Sequence, residues 1–539
     1  MLGISIRKQS SRGVSELNQN VNLMDFFSKH IIPELQDKDQ SSRPMVKAAS
    51  LNFICTFRNQ FSAQQLNELL PLLIFHLSNP FVTVHSLAAN SIGQILKNKE
   101  TDASSYKITQ ATIQPFLHDL FSGLFQIVDN AALNENEYVM KCIMTTLDKA
   151  GDSVISVTNH VFEKLLAALK RVCSNPRNPG FNHNLFESIA ILVRSICIKD
   201  ASQSCQLERM LFPPFQTILE MDILEFSPYV FQIFAQLLEF RPKEAGLGDA
   251  YTSLFLPLLT ASLWEKSGNI PGLTRLIRAY LKKAAPYIVS NNQLQPVLGI
   301  FQKLNSSGAN DGSAFDLLSA LLQYVKVDRF AQYIGTIFQL VLERLQGTKS
   351  NFYHIRFSQF LGLFAALHGG LFLSDTLDKI QPNMILMLLQ HVWLPKVKNC
   401  AKNKMEAKYQ IIGLTKLLSE LSPKLIANDQ GKTVFAQIVA AVVTVIASPT
   451  FSREKKDIPE EAHVVYDATF SQLKYAQQLQ DDALRAVTDP IEFFFCALRN
   501  ISQSNPGVLP PLIQQGLGNN IELATSFQKM CLTKGFNPV

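Results

Sequence analysis

The chain has 539 residues, of which 47% are hydrophobic and 17% charged, with 37 phenylalanines. Disorder is excluded, because a disordered chain needs few apolar residues and many charges. The 50 Lys and Arg against 44 Asp and Glu leave +6, too weak and too dispersed to argue for nucleic acid. A charged fraction below the roughly 25% usual for soluble domains leaves two explanations, a membrane or many buried helix faces.

Met1 to Lys8 has no apolar h-region and so no secretory signal. Residues 1–13 read as a disordered lead-in, and residues 14–539 as one continuous stack. The eight cysteines contain no C-x-x-C pair, which fits buried thiols in a reducing compartment, cytosol or nucleus.

Helical periodicity dominates the chain. Leu66, Leu69, Leu70, Leu73 and Leu77 fall on one helix face at spacings of three and four. Asn79-Pro80 stops that helix, since proline lacks the N–H and disfavours a helical residue before it. Val84, Leu87, Ala88, Ile92 and Ile95 then form a second face, completing a helical hairpin that looks like a HEAT repeat. The hairpin recurs. First helices are expected near Leu23, Gln64, Thr109, Val154, Cys205, Asp249, Gln293, Asp328, Asp375 and Lys424. Second helices are expected near Arg43, Pro80, Glu135, Phe181, Glu225, Asn269, Asp311, Asn351 and Lys404. These starts scatter around the roughly 40 to 47 residues of HEAT-type repeats, against the alternative of unrelated antiparallel helices. The predicted fold class is all-α, a HEAT-repeat α-solenoid, with Pro33, Pro71, Pro115, Pro257 and Pro382 kinking the first helices. The first hairpin has no polar capping helix before it, which in a solenoid points to a longer chain.

Thr433 to Ser452 is uncharged and flanked by Lys432 and Arg453. Pro449 leaves about sixteen helical residues, shorter than the usual minimum of about 17 for a span. Gln437, Thr444 and Ser448 interrupt its apolar surface, so a buried core helix is predicted and no membrane span.

No catalytic motif is complete, and no enzyme, cofactor or metal site is predicted. Gly431-Lys432-Thr433 resembles the end of a phosphate loop, but Ile426 stands where that loop needs glycine, so a loop between helices is expected. His368-Gly369-Gly370 has no G-x-S-x-G elbow to serve and reads as a glycine turn ending a helix. His76 and His85 lie on separate helices of one hairpin and read as structural. Lys396, Lys398, Lys402, Lys404 and Lys408 read as a solvated face, with an acidic-partner patch as the alternative. Arg453 to Asp467 is a long mixed-charge loop, of the kind that more often carries function than a short turn.

Several segments, in order, resemble the C-terminal part of the exportin-2 (cellular apoptosis susceptibility) family within the importin-beta superfamily. They are Asn22 to Leu35, Phe57 to Gln60, Glu135 to Met144, Asn175 to Ser188 and Leu263 to Leu281. Gly299 to Asp311, Ile380 to Met384, Gly413 to Glu420 and Thr469 to Ala476 complete the set. The resemblance implies a nuclear transport receptor without catalysis. Such a receptor carries importin-alpha as cargo with Ran-GTP, passes nuclear pore proteins and shuttles between nucleus and cytoplasm. Two ligands that favour one curvature of a flexible superhelix bind cooperatively by linkage.

In such solenoids second helices line the concave face. Polar residues there are the contact candidates: Glu135, Glu137 and Lys141; Asn182 and His183; and Trp264, Glu265, Asn269, Arg275 and Arg278. Packing and helix capping are the equal alternative for Trp264 and Asn269. The family's N-terminal half, with its principal Ran contact, has no counterpart here, and Met1 falls in mid-solenoid. That leaves a fragment, an incomplete gene model or a truncated protein. Members are usually acidic whereas this chain is +6. A Ran-independent scaffold of phosphatase-regulatory or trafficking type is the competing reading.

Overall fold

The computed structural model describes residues 6–10, 13–18, 20–100, 105–130, 132–133, 135–452, 471–477, 481–518 and 520–537. The expected loop Arg453 to Asp467 lies outside them. The chain divides into two compact units, residues 1–245 with 465–478, and residues 246–464 with 479–539.

The first unit opens on a strand pair. β1 (Ile6–Ser10) runs antiparallel to β2 (Gly13–Leu17), and residues 1–5 and 11–12 of the expected lead-in lie outside the described residues. Helical hairpins follow. The second helices are α1 (Pro44–Phe57), α3 (Val82–Ile95), α5 (Glu137–Ala150), α7 (Pro179–Lys199) and α9 (Ser227–Phe240). First helices α2 (Ala63–Phe75), α4 (Leu117–Asp129), α6 (Thr158–Cys173) and α8 (Ser204–Glu220) alternate with them. The starts match the periodicity to within about four residues, except that a short turn, Gln110–Ile113 capped by Thr109, precedes α4; Ser62, Asn136 and Asn178 cap α2, α5 and α7. Ser62 and Gln65, for example, form a reciprocal capping box at α2. Each second helix packs on the next in order, α1 on α3, α3 on α5, α5 on α7 and α7 on α9, giving the layered stack of a solenoid.

Asparagines tie neighbouring layers of this unit together. Before α3, α5 and α7 the Oδ1 of Asn79, Asn136 and Asn178 accepts from Phe81 N, Tyr138 N and Phe181 N. The Nδ2 of the same side chain donates to the preceding hairpin, at Gln40 O, Ser86 Oγ and Glu135 O. At α5 and α7 one amide thus caps its own helix and holds the previous repeat, while Asn79 closes the turn just before α3 and does the same for its predecessor. His76 and His85 are buried on main-chain carbonyls, Leu35 O and Asn79 O, in keeping with their structural reading.

The second unit repeats the scheme. Second helices α11 (Ile270–Ser290), α13 (Asp311–Tyr324), α15 (Asn351–His368) and α17 (Lys404–Glu420) pack in sequence. First helices α10 (Asp249–Leu258), α12 (Leu294–Asn305), α14 (Val327–Gly347), α16 (Gly370–Asp378) and α18 (Asp429–Ile446) accompany them. α19 (Pro490–Ser504), α20 (Leu509–Leu517) and α21 (Ile521–Lys534) close it. Pro71 and Pro257 do lie inside first helices, whereas Pro382 falls in the turn between α16 and the next helix. Gly369, at φ 100°, breaks α15 from α16, which is the glycine turn predicted at His368-Gly369-Gly370.

α18 is the one helix among the described residues that is long and apolar enough to cross a membrane. Val434, Phe435, Ile438, Val439, Val442 and Val443 on it are buried, and it packs on α20 and α17. Gly431-Lys432-Thr433 does not form the expected loop. It is the first turn of α18, where Asn428 Oδ1 accepts from Gly431 N at 2.8 Å.

Candidate partner-binding surface

The second-helix row places the predicted residues unevenly. Glu135, Glu137 and Lys141 are half-buried beside the exposed Tyr138 at the start of α5. Glu137 lies over Gly180 at the start of α7, so close that a Cβ on that glycine would come within 2.3 Å of the carboxyl carbon. The bare backbone there gives the carboxylate its seat at a helix N-terminus, where negative charge is favoured. Lys141 borders a shallow depression with Asn90, Lys97 and Tyr138.

Asn182 and His183 are both buried on α7, and this conformation gives a partner no access to either. His183 Nδ1 lies 3.3 Å from Tyr229 Oη and its Nε2 lies 3.7 Å from Glu187, while burial pushes the imidazole down to about 4. Trp264 and Asn269 are buried as well. Trp264 Nε1 donates to Leu258 O at 2.8 Å and Asn269 Nδ2 to Leu263 O at 3.4 Å, fastening the turns that precede α11. Glu265 is exposed and reached by Lys303, and Arg275 and Arg278 are half-buried on α11. Arg278 faces Asp316 on α13 at 4.0 Å, and Arg356 on α15 takes the other side of that carboxylate. The row Arg278, Asp316, Arg356 is a lateral charge ladder across three second helices.

Periodicity misses a second set of residues. α7 is buried at every position from Gly180 to Val193, and α9 from Ser227 to Leu238, although a second helix should show one polar face. The cover is the segment 471–477, extended to Leu473 and then turning, docked on that face within the first unit. Glu187 accepts from Lys474 N at 2.5 Å and Tyr475 N at 3.0 Å. Burial pushes its carboxyl up to about 7. Gln232 donates to Ser471 O and accepts from Leu473 N, and Gln236 donates to Tyr475 O. Both partners belong to segments already quoted for the family resemblance, Asn175 to Ser188 and Thr469 to Ala476.

Within the second unit, Asp481 pairs with Lys282 on α11 at 2.9 Å and accepts from Tyr324 on α13 at 3.3 Å. Asp482 pairs with Lys408 on α17 at 2.5 Å. One member of the lysine cluster therefore has its acidic partner in the same chain, while Lys398, Lys402 and Lys404 remain exposed. Among the described residues no group of His, Cys, Asp and Glu could hold a metal ion.

Comparison with known proteins agrees along the whole length. The family model described as CAS/CSE protein, C-terminus, matches residues 94–526, and the Cse1 model matches residues 1–92. Exportin-2 of Oreochromis niloticus and of Homo sapiens are each 32% identical over 515 residues, 94% of this chain and 52% of theirs. The chain thus spans about half the length of the curated relatives it matches. Among solved structures, the exportin Cse1 in its cargo-free, cytoplasmic state superposes with a TM-score of 0.79 at 25% identity, covering 98% of this chain and 53% of that one. Importin beta shares the fold, at a TM-score of 0.59 and 14% identity over 94% of this chain and 60% of that one. With most of its length under one family model and its repeats superposing on Cse1, this chain belongs to the CAS/CSE family of exportins.

Proposed function

We propose that this chain acts as part of a nuclear export receptor that binds importin-alpha together with Ran-GTP and returns it to the cytoplasm. The carrying observation is identity to exportin-2 spread over 94% of the chain, rather than confined to one repeat. Glu135, Glu137, Lys141, Glu265, Arg275 and Arg278 are the accessible or half-accessible candidates for contact, and nuclear pore proteins are transient partners of the shuttling receptor. Binding of both ligands to one curvature of the stack makes them cooperative, typically by about 5- to 150-fold.

The test is the importin-alpha affinity of residues 1–539 with Ran-GTP and with Ran-GDP. Under this reading the chain alone binds Ran-GTP weakly, because the matched length omits about half of the relatives. Ran-GTP should still raise the importin-alpha affinity toward the lower end of that range. Equal affinity with either nucleotide would overturn the Ran-coupled reading and favour a Ran-independent scaffold.

A further inference from the structure

Three side chains on adjacent second helices read the backbone of a peptide that is extended over Ser471–Leu473 and then turns at Lys474–Gln477, where Gln477 N donates to Lys474 O at 3.3 Å. Gln232 and Gln236 are one turn apart on α9, so both amides face the same way. The Gln232 amide donates to Ser471 O at 3.1 Å and accepts from Leu473 N at 2.9 Å, which is what a neighbouring β-strand would offer. Glu187 on α7 takes the next two N–H groups with its two oxygens. Gln236 donates to Tyr475 O at 3.1 Å. The side chains of the bound segment alternate. Ser471 and Leu473 are buried and Tyr475 is half-buried, facing Asp148 of α5, while Gln472 and Lys474 are exposed. Ala476 is fully buried at the end.

The make-up of this face bears on reversibility. Hairpin-to-hairpin contacts are mostly apolar and cannot separate without exposing core. The face under Ser471–Ala476 is instead Glu187, Gln232 and Gln236, groups that water solvates well once uncovered. The apolar payload of the segment is small, the side chains of Leu473 and Ala476 with part of Tyr475. Main-chain hydrogen bonds supply affinity without demanding a sequence, and the alternate pockets supply specificity.

We propose that Glu187, Gln232 and Gln236 form a peptide-binding site that Ser471–Ala476 fills in cis. When that segment leaves, the site takes a peptide of a partner protein that is extended for three residues and then turns, with an aliphatic residue followed two positions later by an aromatic one. The tether gives the cis segment a high effective concentration, so the intact chain disfavours the partner peptide. This inference does not rest on the Ran-coupled reading above.

The test uses residues 1–539 and a fluorescent peptide of sequence SQLKYAQ, copied from residues 471–477. In one variant Ser471 to Gln477 is replaced by alternating glycine and serine. The peptide should bind this variant saturably and the intact chain at least tenfold more weakly. Adding Glu187→Ala to the replaced variant should weaken binding at least tenfold again. Undetectable binding to the replaced variant, or binding unchanged by Glu187→Ala, would overturn the site. Hydrogen exchange on the unaltered chain tests reversibility separately. The amides of Leu473, Lys474 and Tyr475 should exchange at least tenfold faster than the mid-helix amides of α7. Equal protection, or loss of helical circular dichroism in the replaced variant, would make the segment a permanent part of the core and refute the proposal.

Discussion

Gly413→Ala offers a sharp test of how closely the second helices approach. α15 and α17 cross at Gly362 and Gly413, and a Cβ on Gly413 would stand 2.3 Å from Gly362 O and 3.1 Å from its Cα. Ordinary contact begins near 3.4 Å, so the helices must part by about an ångström (3.4 − 2.3 = 1.1). The obstructing atom is backbone and has no rotamer to move into. Overpacking of this kind reaches about 3 kcal/mol. Alanine returns about 1 kcal/mol of helix propensity over glycine, leaving a net loss of about 2 kcal/mol. Gly299 on α12 is the control, since its added Cβ meets nothing within 4 Å, and Gly299→Ala should stabilise by up to about 1 kcal/mol. The chain's two tryptophans, Trp264 and Trp393, both lie in the second unit, so intrinsic fluorescence during urea unfolding follows that unit. Trp393 donates to Gln410 Oε1 at 2.7 Å, and Gln410 lies directly against Gly362. Gly413→Ala should lower the midpoint and Gly299→Ala should raise it. If both variants gain stability alike, the close approach is not there and the reasoning fails.

Glu187 has a raised carboxyl, so its contribution to stability is full below its unfolded value near 4.5 and is lost as pH rises through about 7. Between pH 5 and 8 the native protein should lose up to about 3 kcal/mol from this group, and Glu187→Gln should flatten that slope in urea titrations followed by circular dichroism. Lys47 is fully buried and held by Asp37 at 2.8 Å and by Ser42. Asp37→Ala should destabilise by about 3 kcal/mol by stranding the ammonium, and adding Lys47→Met should recover most of it, as thermal melts would show. Cys496 is the exposed thiol, whereas burial pushes Cys142, Cys197 and Cys400 up to about 12. Mass spectrometry after brief alkylation at pH 7.5 should find Cys496 modified first, and early labelling of Cys142 would contradict the packing.

Helix starts were legible because local chemistry sets them. Apolar residues at spacings of three and four, Asn-Pro turns and Ser or Asn caps place α2, α3, α5, α7 and α17 within a few residues. The strand pair at the start was not legible, since Ile6–Ser10 and Gly13–Leu17 show no long alternating pattern. Nor was the burial of Asn182 and His183. Repeat geometry puts them on a solvent-facing row, and nothing within α7 announces that residues 287 and 288 positions beyond Glu187 will hydrogen-bond to it. A faint signal does exist: α7 carries Asn182, Asn184, Glu187 and Ser188 on its polar positions but no Lys or Arg before Arg194. The burial of Trp264 and Asn269 follows from the short turns before α11, whose carbonyls at Leu258 and Leu263 accept from these side chains.

The paired use of Asn79, Asn136 and Asn178 separates two quantities that are usually entangled in repeat proteins. In a nearest-neighbour description each hairpin has its own folding free energy and a further term for the junction with the next. Aspartate keeps the accepting oxygen of these asparagines but has no N–H to give to the preceding repeat. Asparagine-to-aspartate exchange at these three positions therefore acts mainly on the junction term. Cooperativity along the stack becomes adjustable one joint at a time.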